Sequence, residues 1–445
     1  MKFKFIDLFA GLGGFHLAME SLGGECVFAS ELKEDLRRLY TMNYPGARIE
    51  GDITKIDPQS IPDHDVLCAG FPCQPFSVAG KRQGFNDIKG RGNLFDYICG
   101  IVEAKRPRFI MLENVAHLKG HDNGNTWLVI KGKLEALNYC VQDEIFSPHQ
   151  FGIPQHRKRI YIVCEDLDRG HLEHFHFPTP SKDVPCSINS IIDWDAKNVT
   201  KIPPERRRLI NTWDEFIMHF INRGLPVPRN IWAHEFGATY DLDPAPQFQT
   251  LEQLQGKRGA FGQPVTGSTK EECLACLPKY AREYAGKNIA GLHREYIEAS
   301  RKTYAENKEW LDAWKPKLYE FQYSRQKFEW RCSGGNVKSP EELIVQIRQS
   351  GVRYKMPNYS VALTLNISQT PIFPWVPLPK DELEPGEPDK GRYMTLLEAQ
   401  RIQGMQSLNL APLTPATRRW EALGNAVNVD VVRNIAQSLV KPLMD

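Results

Sequence analysis

No run of 18 apolar residues occurs anywhere in the chain, and Met1-Lys-Phe-Lys-Phe-Ile6 lacks the apolar stretch and small-residue cleavage site of a secretory leader. A helix built to span a bilayer is not encoded, and a soluble, cytoplasmic protein is expected. An excess of charge of one sign is lacking as well, with 56 Lys and Arg against 54 Asp and Glu. A formal net charge of +2 gives no global electrostatic signature, so a nucleic-acid partner has to be sought in local basic surfaces. The 10 cysteines follow no spacing of a disulfide framework, which suits a reducing compartment. Cys273-Leu-Ala-Cys276 has no second matching pair, and His171, His174 and His176 read as a polar connector, so no metal site is expected. No internal repeat is present.

What the chain does contain is ordinary globular composition, 41% hydrophobic and 25% charged over 445 residues, enough for two domains and a sizeable core. Lys4 to Phe9 alternates into a strand, Ala10-Gly-Leu-Gly-Gly14 turns, and Phe15 to Glu20 continues as a helix. Strand, glycine turn and helix form a crevice for the nucleotide part of a cofactor, because glycine lets the backbone approach closely. The spacing is not Gly-x-Gly-x-x-Gly, which counts against a nicotinamide site. A second strand, Cys26 to Ala29, ends near Glu31, a carboxylate placed to accept from two ribose hydroxyls.

The apolar run Asp65-Val-Leu-Cys-Ala69 reads as a buried strand and leads into Gly-Phe-Pro-Cys-Gln-Pro-Phe-Ser, residues 70 to 77. Pro72 and Pro75 stiffen that loop around one thiol, Cys73, at the carboxyl edge of a sheet, where open α/β folds place their active sites. Residues 78 to 92 carry four glycines and four cations and read as a lid over a phosphate backbone. Phe109 to Leu112 forms the next buried strand and delivers Glu113-Asn-Val115 to the same edge. Arg157 and Arg159, two apart in an extended segment, share one face.

Gly-Phe-Pro-Cys-Gln-Pro-Phe-Ser resembles the catalytic loop of DNA (cytosine-5) methyltransferases of the bacterial restriction-modification type. Asp-Leu-Phe-Ala-Gly-Leu-Gly-Gly-Phe, residues 7 to 15, is similar to their S-adenosylmethionine motif, Glu113-Asn-Val to their acid motif and Gln155-His-Arg-Lys-Arg159 to their Gln-x-Arg-x-Arg motif. The resemblance implies a Rossmann-like α/β fold, a seven-stranded mostly parallel sheet with an inserted target-recognition domain. It also implies that Cys73 adds to carbon 6 of a flipped cytosine, that Glu113 meets ring nitrogen 3, that Arg159 holds oxygen 2 and that Arg157 orients Glu113. For the cofactor it implies Asp7, Phe9 stacking on adenine, Gly11, Gly13 and Gly14 under the methionine part, and Glu31 on the ribose. Leu32 stands where many members carry an aromatic residue, Asp52 would bind the adenine amino group, and Ile53, Pro72, Leu94, Asn425 and Val427 would complete the site, with Asn425 also bracing the catalytic loop. S-adenosyl-L-homocysteine would be the product.

From about residue 186 to 390 the α/β alternation stops, and seven of the nine tryptophans fall there together with Arg206-Arg-Arg208 and the basic run Arg348 to Lys355. Inserted between two halves of a catalytic domain, 1–185 and 391–445, this stretch reads as the domain that recognises DNA. Ile297, Tyr304 and Leu311 mark one amphipathic helix, Val376 to Lys390 a linker, and Arg392 to Gly404 a helix. Gln74, Ser77, Lys81, Arg82, Arg91, Arg353 and Lys355 are the expected contacts to double-stranded DNA. A monomer is expected, acting apart from any cognate restriction endonuclease. Two rivals are a transfer-RNA methyltransferase of the same fold, against which the length of the insertion speaks, and a non-catalytic DNA-binding relative, against which the presence of both Cys73 and Glu113 speaks.

Overall fold

The computed structural model describes residues 3–72, 94–180, 185–332, 336–363 and 369–444. Cys73, Gln74, Ser77, Lys81, Arg82 and Arg91 lie outside the described residues, as does the glycine-rich loop of residues 78–92. The chain divides into two compact units. One comprises Met1–Asp193, Asn358–Ile367 and Thr395–Asp445, the other Trp194–Pro357 and Ser368–Met394.

The first unit is built on eight strands before residue 167: β1 (Phe3–Leu8), β2 (Gly24–Ser30), β3 (Ile49–Glu50), β4 (Val66–Ala69), β5 (Phe109–Val115), β6 (Tyr139–Phe146), β7 (Gln155–His156) and β8 (Arg159–Asp166). Seven of them form one sheet in the order β3-β2-β1-β4-β5-β8-β6, and β8 alone runs against the others. β4 and the apolar part of β5 are buried on both faces, which is why they read as unbroken hydrophobic runs. Helices α1 (Gly14–Glu20), α2 (Glu34–Asn43), α3 (Leu94–Lys105) and α4 (Asn125–Ala136) follow β1, β2, β4 and β5. The strand order reverses between β1 and β4, and the crevice of an α/β sheet opens at the carboxyl ends of such a pair. The helix Val429–Leu439 returns the C-terminus to α1. A short strand β13 (Ser360–Val361) pairs in parallel with β7.

The second unit carries β9 (Asn230–Trp232), β10 (Lys327–Arg331), β11 (Ile344–Arg348), β12 (Gly351–Lys355), β14 (Ile372–Pro377) and β15 (Lys390–Tyr393), in the order β15-β14-β11-β12-β10-β9. Only the β10–β12 pair is parallel. Helix α5 (Pro204–Ile221) lays Leu209, Trp213, Phe216 and Phe220 into the core with Phe328, Trp330, Val345 and Val352. Trp213 is wholly enclosed. Its ring stacks on Phe328 at 5.0 Å between centroids and its Nε1 donates to the Arg325 carbonyl at 3.0 Å.

Three local expectations are corrected here. The heptad of Ile297, Tyr304 and Leu311 runs through two helices, Gly291–Glu306 and Lys308–Trp314, because the chain breaks at Asn307, whose side chain donates to the Thr303 carbonyl at 3.0 Å. The stretch from Val376 to Lys390 is no linker between domains: it joins the antiparallel strands β14 and β15, and its acids pair with Lys197 at 2.7 Å and Lys201 at 2.6 Å. The helix expected from Arg392 begins only at Leu396, since Arg392 and Tyr393 belong to β15.

Candidate active site

β1 ends at Leu8, and the chain then turns sharply. Phe9 adopts a left-handed backbone at φ 57°, rare for a bulky residue and a form of strain found at ligand sites. Gly13 and Gly14 close the turn by permitting contact: a Cβ would stand 2.6 Å from the Tyr44 ring at Gly13 and 2.5 Å from Val427 at Gly14. Tyr44 ties the turn further, donating to the carbonyls of Leu12 at 3.0 Å and Gly13 at 3.1 Å.

A cavity of about 520 Å³ opens at this edge of the sheet. Phe9, Gly11, Glu31, Leu32, Asp52, Ile53, Pro72, Leu94, Asn425 and Val427 line it, and so do Glu113, Arg157 and Arg159. Asp7, Gly13 and Gly14, expected at the cofactor, are not among the lining residues; Asp7 is buried within β1, and the two glycines serve the packing of the turn.

One end of the cavity is shaped for a nucleoside. Glu31 accepts from the backbone N–H groups of Gly11 at 3.0 Å and Lys33 at 2.8 Å, which fixes its carboxylate at the wall. Asp52 accepts from the N–H of Thr54 at 3.0 Å and its hydroxyl at 2.8 Å, and these bonds hold its carboxyl below the ordinary carboxylate range. Two fixed carboxylates, an aromatic side chain on a left-handed backbone and the open backbone at Gly11, where a Cβ would meet nothing nearer than 3.9 Å, fit the ribose and adenine of S-adenosylmethionine. Leu32 stands exposed at the cavity wall.

The other end is shaped for an acid. Glu113 stands at the carboxyl end of β5, buried, with Arg159 Nε 2.9 Å from its Oε1. Burial outweighs the two neighbouring guanidiniums and raises its carboxyl above the ordinary range. Arg157 does not bond to Glu113, as the resemblance had implied. Its guanidinium donates to the carbonyls of Gly424 at 2.9 Å and Ala426 at 3.1 Å, and burial draws it down to about 10. It therefore fastens the C-terminal helix ending at Asn425 to the acid's side of the cavity.

Two contributors were not singled out from the sequence. Asn114, beside the acid, donates to the Phe71 carbonyl at 3.0 Å and accepts from the Val115 N–H at 2.8 Å, so β5 grips the segment that leads to Cys73. The motif Glu113-Asn-Val contained that signal. Arg418 lines the cavity while bound to Asp35 at 2.6 and 3.0 Å and to Glu421 at 2.7 Å. Its pairing with Asp35 was not legible locally, since that residue lies in α2.

Residues 3–224 match the sequence profile of C-5 cytosine-specific DNA methylases. Among curated proteins, the chain is 48% identical over 177 residues to the Type II methyltransferase M.HhaI of Haemophilus parahaemolyticus, covering 40% of this chain and 53% of that protein. It is 43% identical over 219 residues to M.SsoII of Shigella sonnei, covering 47% and 56%. The matched stretch thus spans about half the length of these relatives. Among solved structures, a candidate DNA modification methyltransferase encoded within an Escherichia coli prophage shares the fold at 15% identity, with a TM-score of 0.50 over 99% of both chains. Through residues 3–224 the chain belongs to the family of C-5 cytosine-specific DNA methylases.

Proposed function

We propose that the protein is a sequence-specific DNA (cytosine-5) methyltransferase of restriction-modification type, with Cys73 as nucleophile and the second compact unit as its target-recognition domain. The observation that carries this reading is Glu113: a buried carboxyl, raised above its ordinary range and paired with Arg159, in the same cavity as the nucleoside-shaped end at Glu31. Phe9, Glu31 and Asp52 would hold S-adenosylmethionine, which would supply an electrophilic methyl group for carbon 5 of cytosine.

Carbon 5 of an aromatic pyrimidine is a weak nucleophile. Addition of the Cys73 thiolate to carbon 6 breaks the aromaticity and pushes an electron pair toward carbon 5 and nitrogen 3. Glu113, kept protonated by burial, donates to nitrogen 3 and meets the charge that collects there. Arg159 accompanies it with donors for oxygen 2. Once carbon 5 carries the methyl group, transfer of its proton to solvent water expels the Cys73 thiolate and restores the ring. A stacked base cannot reach these groups, so the cytosine is flipped out of the duplex.

Incubation of purified protein with S-adenosylmethionine and unmethylated plasmid, followed by conversion sequencing, is expected to show 5-methylcytosine confined to one short sequence. Methylation of transfer RNA in place of the plasmid, or of neither nucleic acid, overturns the reading.

A further inference from the structure

The sheet of the second unit buries one face and charges the other. Phe328 and Trp330 of β10, Val345 and Ile347 of β11, and Val352 and Tyr354 of β12 belong to the core. Side chains alternate along a strand, so Lys327, Glu329 and Arg331, Arg348, and Arg353 and Lys355 share the opposite face. The register sets Glu329 beside Arg353 and Arg331 beside Lys355.

Glu329 sits at the centre of that face and binds three guanidiniums. Arg353 reaches it at 2.9 Å, Arg331 at 3.4 Å, and Arg348 closes the group. One carboxylate cannot neutralise three arginines. Lys327 is held differently: its Nζ lies 4.3 Å from the Trp232 ring centroid, 4.7 Å from Tyr280 and 5.1 Å from Tyr323. Aromatic faces steady an ammonium without consuming its N–H donors. Neighbouring like charges across strands oppose folding. Four cationic side chains, Lys327, Arg331, Arg348 and Arg353, to one carboxylate, half-buried on strands of a chain whose net charge is only +2, are therefore a costly concentration that an anionic partner would relieve.

We propose that this face of β10, β11 and β12 grips the phosphate backbone of duplex DNA as a sequence-independent contact, a proposal that rests on the DNA methyltransferase reading. The major groove, about 12 Å wide, admits a helix or a two-stranded ribbon edge-on. A sheet three strands across does not enter it and lies on the backbone instead. Glu329 draws the guanidiniums together, and Lys327 is held by aromatic faces rather than by a carboxylate. The contact positions the enzyme and leaves base reading to other side chains.

The test is the salt dependence of binding by the full-length protein, measured by fluorescence anisotropy between about 50 and 200 mM salt. One short duplex carries the methylated sequence and a second lacks it. Lys327→Gln and Arg331→Gln are each expected to lower the slope of log K against log salt by about 0.9, equally on both duplexes, with the methylated sequence unchanged. Glu329→Gln keeps every cation and is expected to tighten both duplexes, so the proposal stays testable if a cation variant folds poorly. Unchanged slopes in folded variants overturn it. So does loss confined to the methylated sequence, weaker binding by Glu329→Gln, or an effect on RNA hairpins alone. A wild-type protein that methylates no DNA would instead overturn the enzymatic reading, a result the plasmid assay gives separately.

Discussion

The two units solve the problem of placing charge in opposite ways. In the first, polar groups at the cavity are delivered singly near strand ends and held by one or two specific partners, as Glu31 is by the N–H groups of Gly11 and Lys33 and Glu113 by Arg159. In the second, charge is spread over a sheet face, and a side chain finds its neighbour only through cross-strand register, as Arg353 finds Glu329. Strand-end delivery suits chemistry, where one proton has to be held at one atom. A face of cations suits a long polyanion, where many weak contacts add.

The largest effects expected fall on the first arrangement. Cys73→Ser should abolish methylation while duplex binding persists, as read by transfer of labelled methyl and by anisotropy; substantial turnover would remove the thiol from the chemistry. Glu113→Gln should lower turnover by about a hundredfold, the scale of general-acid contributions. Because the carboxyl of Glu113 is raised and acts in its protonated form, wild-type kcat/KM should decline as pH rises through that raised value. The glutamine variant has no proton to lose, and its residual rate should lack that alkaline decline. A shared decline would place the titrating group elsewhere.

Trp213→Ala tests whether the units are as separable as their charge patterns suggest. Removing a fully enclosed indole from the core of the second unit should cost about 3–5 kcal/mol. The expected outcome is an early-melting transition with loss of DNA binding and retention of S-adenosylmethionine binding. A single cooperative transition that takes cofactor binding with it would break the comparison.

The same contrast explains what could be read in the sequence. Phe9 and Glu31 were legible because each directly follows a buried strand, and Glu113 and Arg159 because they lie toward the end of β5 and at the start of β8, whatever the remainder of the chain does. Arg157 lines the cavity, but its bonding was not legible, since its acceptors at Gly424 and Ala426 come from the far end of the chain. The break at Asn307 was hidden because a seven-residue spacing of apolar residues survives a helix interruption that keeps both segments packed. The Glu329 group was beyond reach: four residues from three strands converge there, and pairing order is not written in any one of them. Of the tryptophans in the inserted stretch, Trp213, Trp314 and Trp330 are enclosed in the core, whereas Trp194 is exposed.

The smallest effect expected concerns Asp7, the expected cofactor residue that lies behind the cavity. It is flanked in the sheet by Ala29 and Cys68, neither carboxyl oxygen has a hydrogen-bond partner, and burial, with Glu31 nearby, raises its carboxyl well above the ordinary range. His16 gives no compensating charge, because burial pulls its ring down to about 4. Below about pH 3.9 both folded and unfolded chains carry the proton on Asp7. Above that, the unfolded chain releases it and the folded chain does not, so stability should fall by about 1.4 kcal/mol per pH unit until the folded value is passed. Asp7→Asn keeps the shape and deletes the titration. Thermal melts from acid to alkaline pH should therefore converge for the two proteins in acid and separate in favour of the asparagine variant as pH rises. Parallel melting curves would mean that Asp7 is ionised in the fold, with a cation or donor near it, and the polar groups of the first unit would then extend behind the cavity as well as along its wall.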